Sequence, residues 1–206
     1  GAPEGFDSLI TADLARGEGL SVFVARDFAR MNAVIEALKF FAPGLEILSF
    51  PAWDCLPYDR MSPTPGIVAQ RMYALSRLAE YRTKPPAAPV LLLTTASAMM
   101  QKAPPLSVIR EGRLSLKPGQ SVDITELEAY FLKHGYNRVS TVSEKGEFAV
   151  RGGLLDVFSP SHEEPVRLDF FGDTLESIRS FDTETQRSLK QITSLDFTAV
   201  AEIRMD

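Results

Sequence analysis

The 206-residue sequence predicts an α/β chain in two parts: a parallel-sheet domain over about residues 1–103, then a smaller α+β domain with an antiparallel sheet over 104–206. Three observations carry this expectation. The apolar runs LSVFVA, LEILSF and PVLLLTT alternate with helical periodicities, as parallel strands joined by helical crossovers do. The composition changes at Pro104-Pro105. Beyond it, after one helix, four or five short strands are separated by turn signals at EKGE, SPSHEEP and GD, the layout of an antiparallel sheet.

In chain order, Phe6, Leu9, Ile10 and Leu14 make a short helical pattern that ends at Gly17 and Gly19. LSVFVA, β-branched and aromatic, suits a buried parallel strand. Asp27 stands before Met31, Val34, Ile35, Leu38 and Phe41, spaced at three and four, and is placed to cap their helix, which Pro43-Gly44 stops. After the strand LEILSF comes FPAWDCLPYDRMSPTPG, an ordered loop with Trp53, Tyr58 and four prolines. It reads either as an aromatic platform for a base or a partner, or as a loop whose Trp plugs the edge of the core. A longer helix over about 67–82 puts Met72, Leu75 and Leu78 on its apolar face, and PVLLLTT closes the sheet.

In the second part, RLSLKPGQ precedes a helix at about 124–134 ended by Gly135. Phe148, Val150, Gly152, Leu154 and Phe158 fit one side of an extended segment, with Leu155 and Val157 on the other beside Arg151 and Asp156. Gly152-Gly153 interrupts it, so the segment is a strand pair or a bulged strand. VRLDFF, the turn GDT and LESIRSFD continue as a meander. KQITSLDFTAVAEI is either the last strand of this part or the return of the chain toward the first.

With 45 % hydrophobic and 24 % charged residues the composition is that of an ordinary globular protein. A net charge of −5 argues against a broad, nonspecific nucleic-acid surface. The single cysteine, Cys55, excludes an internal disulfide, and no apolar run reaches the roughly 18 residues of a membrane span. There is no signal peptide, the expected location is cytoplasmic, and the start at Gly1 rather than Met points to a fragment. The first strand-turn-helix opening offers a helix N-terminus to a phosphate. However, no stretch matches G-x-x-x-x-G-K-[ST]; the nearest, ARGEGLSV, lacks the lysine. No nucleotide hydrolysis and no cofactor are expected. His134 and His162 have no ligand at metal spacing, so no metal is expected either. His134 falls at a helix C-terminus and His162 in a polar turn. Cys55 reads as a small half-buried residue, and Asp54 and Asp59 as turn residues. Arg151, between Val150 and two glycines, is either stacked across a neighbour or waiting for a partner. Arg71, Arg77, Arg82 and Lys84 along and just beyond the longer helix offer an alternative DNA-binding face, though Glu80 among them suits a solvated face equally.

The stretches FPAWDCLPYDRMSP, QRMYALSRL, EFAVRGGLLDVFSP, VRLDFFGDTLESIRSFD and TQRSL cover nearly the whole chain in the expected order. Together they resemble the N-terminal module of the bacterial transcription-repair coupling factors, which is itself similar to the first two domains of the excision-repair subunit UvrB. The resemblance implies that residues 1–103 are a degenerate helicase-like α/β domain, similar to UvrB domain 1a, that has lost its phosphate-binding loop and does not hydrolyse ATP. It also implies a shortened DNA-gripping hairpin, since little more than MSPTPG separates the aromatic loop from the next helix. Residues 104–206 then correspond to UvrB domain 2, the docking surface for the damage-recognition subunit UvrA. The implied function is a non-catalytic adaptor that recruits UvrA to stalled transcription complexes, with RNA polymerase, DNA and an ATP-driven translocase engaged through other domains of the full-length protein. The alternatives are a DNA-binding module or a vestigial nucleotide-binding helicase half. For the UvrA surface, Tyr136 and Arg138 match the family's arginine soon after a tyrosine, Arg151 its arginine before glycine, and Asp169 and Phe170 its acidic-aromatic pair ahead of a turn. Where UvrB has a second arginine two residues before the Arg-Gly, this chain has Ala149.

Overall fold

The computed structural model describes residues 5–17, 19–55 and 63–202, which fall into two units, Gly1–Ala103 and Pro104–Asp206. The first unit runs α1 (Phe6–Leu14), β1 (Leu20–Ala25), α2 (Phe28–Phe41), β2 (Glu46–Phe50), α3 (Pro65–Tyr81), β3 (Val90–Thr95) and the single turn α4 (Ala96–Met99). Its three strands are parallel in the order β1-β3-β2. All six residues of β3 are buried, as its unbroken apolar run requires of a central strand covered on both faces. Leu91 and Leu93 point to the side that carries α2 and α1, with Met31, Val34 and Leu38, while Val90 and Leu92 point to the other, with Leu48, Phe50 and Ala74. None of the helices among the described residues is long and apolar enough to cross a membrane.

Two expectations for this unit change. LSVFVA is parallel but lies at the edge of the sheet, so only one of its faces is covered and Leu20, Val22 and Val24 stay exposed. The residues of α1 that pack are Ser8, Thr11 and Ala12, joined by Ala15 at its C-cap, whose small side chains allow close approach, whereas Phe6, Leu9, Ile10 and Leu14 face outward. Asp27 does cap α2: its carboxylate accepts from the Arg30 amide at 2.8 Å. Replacing Asp27 by Ala is expected to cost about 1 kcal/mol, measured by urea unfolding of the first unit.

The second unit runs α5 (Leu106–Glu111), β4 (Leu114–Leu116), α6 (Ile124–Lys133), β5 (Asn137–Arg138), β6 (Glu147–Arg151), β7 (Leu154–Val157), β8 (Val166–Phe171), β9 (Thr174–Phe181), β10 (Ser188–Ile192) and β11 (Leu195–Phe197). A six-stranded sheet has the order β10-β9-β8-β7-β6-β5, antiparallel except for the β5–β6 pair, and β11 pairs separately with β4. KQITSLDFTAVAEI thus supplies two strands to this unit. The core lies between the sheet and α6. Phe131 of α6 stacks on Phe148 at 5.5 Å and meets Tyr136 and Phe197 edge-on at 4.9 and 5.1 Å. Phe148 faces Val157, and Val150 faces Leu155, across the β6–β7 pair. The expected sides of this segment are therefore corrected. Gly152-Gly153 is a hairpin turn, not a bulge, and the chain reversal resets the alternation, leaving Leu155 and Val157 in the core and Arg151, Leu154 and Asp156 on the opposite, outer face.

Candidate partner-docking face

The outer face of the six-stranded sheet is built by alternation. Ala149 and Arg151 come from β6, Leu154 and Asp156 from β7, Arg167, Asp169 and Phe171 from β8, and Ser177 and Arg179 from β9. One end of this face is covered by the segment leading into β6, where Val139 and Val142 pack on Ala149, Phe158 and Phe181. At the other end Arg151, Phe171 and Arg179 are exposed, Phe171 with 78 % of its surface.

Charge is ordered across the strands. Asp156 and Arg167 stand opposite each other on β7 and β8, and Arg167 clamps the carboxylate with Nε to Oδ1 at 2.7 Å and Nη2 to Oδ2 at 2.9 Å. Arg151, on the diagonal of β6, donates to the same Oδ2. The Asp156 carboxylate holds the Arg167 guanidinium pKa above its ordinary value. Further along β8, Asp169 pairs with Arg179 at 3.5 Å.

The turn that presents Arg151 depends on both glycines. Gly152 takes φ +60°, a left-handed conformation. A Cβ on Gly153 would lie 2.7 Å from the Phe170 carbonyl oxygen, because the Gly153 carbonyl accepts from the Phe170 amide at 2.8 Å. The Arg-Gly-Gly sequence thus lets the β6–β7 turn press directly on β8, beside Asp169 and Phe171.

The residues expected on the partner surface separate into three places. Arg151 and Asp169 share the outer face. Arg138 does not: it is paired in register with Phe148 on the helix side of the sheet and forms an ion pair with Glu128 of α6. Tyr136 and Phe170 are core residues, 2 % and 7 % exposed. The Tyr136 hydroxyl donates to the Thr198 carbonyl at 2.8 Å, and burial pushes its pKa up, so it remains a neutral donor. Phe170 is turned inward because Leu168 before it is also a core residue, and the aromatic side chain at the surface is its neighbour Phe171. Phe171, Arg167, Arg179 and Asp156 were missed. The alternation of VRLDFF, counted from buried Val166 and Leu168, is the signal that finds Phe171.

Of the alternative DNA face, Arg71 and Arg77 are engaged within the first unit, while Arg82 and Lys84 at the end of α3 are exposed. Arg71 has no exposed surface: its guanidinium lies 4.2 Å from the Phe50 ring centroid and 5.3 Å from that of Trp53, and donates to the Pro51 carbonyl at 2.7 Å. Trp53 is thereby engaged within its own unit, as a core-edge plug is. Arg77 is held by Glu46 and Glu80, each at 2.9 Å. Asp54 accepts from the Thr64 amide at 2.9 Å, a loop-closing bond that depresses its pKa, while Tyr58 and Asp59 lie outside the described residues. Cys55 is half-buried. At the end of β1, the Asp27 carboxylate occupies the α2 N-terminus where a phosphate would have to sit. His134 caps the C-terminus of α6, and His162, its pKa lowered by burial, bonds to Ser161 through Nδ1 at 2.9 Å. Among the described residues no group of three or more His, Cys, Asp or Glu is placed to hold a metal ion.

The UvrB interaction domain family matches residues 114–202, which include the whole outer face. The chain is 38 % identical over 188 residues to the transcription-repair-coupling factor of Myxococcus xanthus, across 88 % of this chain and 15 % of that protein. Against the corresponding factor of Haemophilus influenzae it is 34 % identical over 206 residues, with 98 % and 17 % covered. Against that of Escherichia coli it is 31 % identical over 198 residues, with 96 % and 17 % covered. The chain thus spans between 15 % and 17 % of the length of these relatives.

Proposed function

This chain belongs to the bacterial transcription-repair coupling factor family, as its UvrB-homology module, and we propose that it is a non-catalytic, cytoplasmic adaptor that docks UvrA on the outer sheet face of its second unit. One observation supports this above the others: the covering segment leaves one end of that face open, and the open end gathers a clamped arginine, a partly exposed carboxylate and an exposed phenylalanine. Guanidinium and aromatic groups are the usual anchors of a protein interface, the first through planar charge-assisted hydrogen bonds and the second through apolar area held with little rotamer freedom. The docking residues in this reading are Arg151, Asp169, Arg179 and Phe171, with Phe170 and Tyr136 in the core and Arg138 outside the contact.

The first unit, in the same reading, is a degenerate helicase-like domain that has kept the parallel sheet and replaced phosphate binding with a capping carboxylate at Asp27. ATP-driven movement on DNA and contact with RNA polymerase belong to the remainder of the full-length factor. The module's part is recruitment of UvrA to a stalled transcription complex.

Phe171→Ala tests the aromatic anchor. UvrA affinity, measured by calorimetry, is expected to fall by about 2 kcal/mol, roughly 30-fold, the loss typical of a central interface aromatic. The melting temperature should stay unchanged, since the side chain is exposed. Undiminished affinity of Phe171→Ala would remove the aromatic from the interface.

A further inference from the structure

Among the described residues Asp156 is the one buried carboxylate, with 1 % of its side chain exposed. A buried charge of this kind is costly unless it is paired and fully hydrogen-bonded, and Asp156 is paired twice. Its two arginines are held very differently. Arg167 has two further supports: its guanidinium stacks at 4.8 Å on the Phe181 ring, and Nη1 donates to the Gln186 carbonyl at 3.3 Å. For Arg151 the Asp156 carboxylate is the only side-chain partner among the described residues, and 46 % of its side chain remains exposed. Ala149, opposite Asp156 on β6, brings no donor of its own to compete for the carboxylate.

We infer that Asp156 is a positioning residue for the docking face, fixing the Arg151 guanidinium against the sheet so that its remaining donors stand ready for a carboxylate of the partner. This rests on the reading that the outer face receives UvrA through Arg151. A guanidinium carries five N–H donors, of which one is committed to Asp156. A long side chain on an exposed strand would otherwise lose its rotamer freedom when the partner arrives; Asp156 shifts that loss from binding to folding. Arg167 takes the other side of the carboxylate and keeps the buried charge compensated.

The test uses the intact chain and two readouts. The first is ¹⁵N relaxation of the arginine Nε–H groups in the free protein. Arg151 is expected to be ordered in the parent and mobile in Asp156→Asn, where an amide NH₂ meets a guanidinium donor. Arg167 is expected to stay ordered in both, through Phe181 and Gln186. The second is calorimetry with purified UvrA, in which Asp156→Asn is expected to bind about tenfold more weakly. An Arg151 Nε order parameter below about 0.6 in the parent overturns the inference whether or not the variant folds. So does an Asp156→Asn protein that mobilises Arg151 and binds UvrA as tightly as the parent. If instead Arg151 is ordered in a parent that does not bind UvrA, the docking reading itself fails and the inference falls with it.

Discussion

Phe131→Ala is expected to destabilise the second unit by about 3 to 5 kcal/mol, the cost of truncating a fully buried phenylalanine and leaving a cavity. Phe131 has no exposed surface and is the ring on which three parts of the unit meet: β6 through Phe148, the start of β5 through Tyr136, and β11 through Phe197. These neighbours are aromatic, and Phe148 and Phe197 belong to paired strands, so they cannot close over the space that the ring leaves. Whole domains are stable by only about 5 to 15 kcal/mol, so the loss amounts to between about a fifth and all of the stability of the unit. Urea unfolding followed by circular dichroism measures the loss. A cost below about 1 kcal/mol would mean that Phe131 does not organise the unit.

Arg151→Ala should act in the opposite manner, leaving the fold intact and removing the partner. The substitution leaves Asp156 bidentate to Arg167, so no buried charge is orphaned and the melting temperature should change little. At the interface it deletes a charge-assisted contact, expected to cost about 2 to 4 kcal/mol of UvrA binding, a loss of roughly 30-fold to 800-fold. Together the two variants separate stability from docking, since Phe131 lies on the helix side of the sheet and Arg151 on its outer side.

Much of this arrangement is legible in the residues themselves. PVLLLTT announces a strand of the parallel sheet because all six residues of Val90–Thr95 are apolar or threonine, while its central position follows from its pairing with both neighbours. The capped start of Phe28–Phe41 can be read from Asp27 and the spacing after it. The edge position of Leu20–Ala25 cannot, because a strand covered on one face and a strand covered on both have equally apolar sequences when the open face is also apolar. Arg71 is misleading for a related reason: charge on a helix suggests solvent, whereas its guanidinium is sandwiched by Phe50 and Trp53, rings contributed from a distant stretch of chain.

The docking face shows the same limit more sharply. Arg151 and Asp169 stand out as residues, but their placement on one surface follows from strand pairing. The side assignment fails at Gly152-Gly153 because a turn and a bulge give the same local pattern and opposite alternations beyond it. Phe170 and Phe171 are chemically identical, and the register of Val166–Phe171 against its neighbours tells which one reaches the surface. Asp156 was readable as an acidic residue in an apolar strand, but its two arginine partners come from different strands, one of them eleven residues away.

The most direct test of the account is a calorimetric titration of purified UvrA into the intact chain and into its Arg151→Ala variant, with both proteins shown to be folded. Saturable binding by the parent, weakened at least 30-fold in the variant, is the predicted result. Absence of binding by the parent, or equal affinity for both proteins, would contradict the assignment of the outer sheet face as the docking surface.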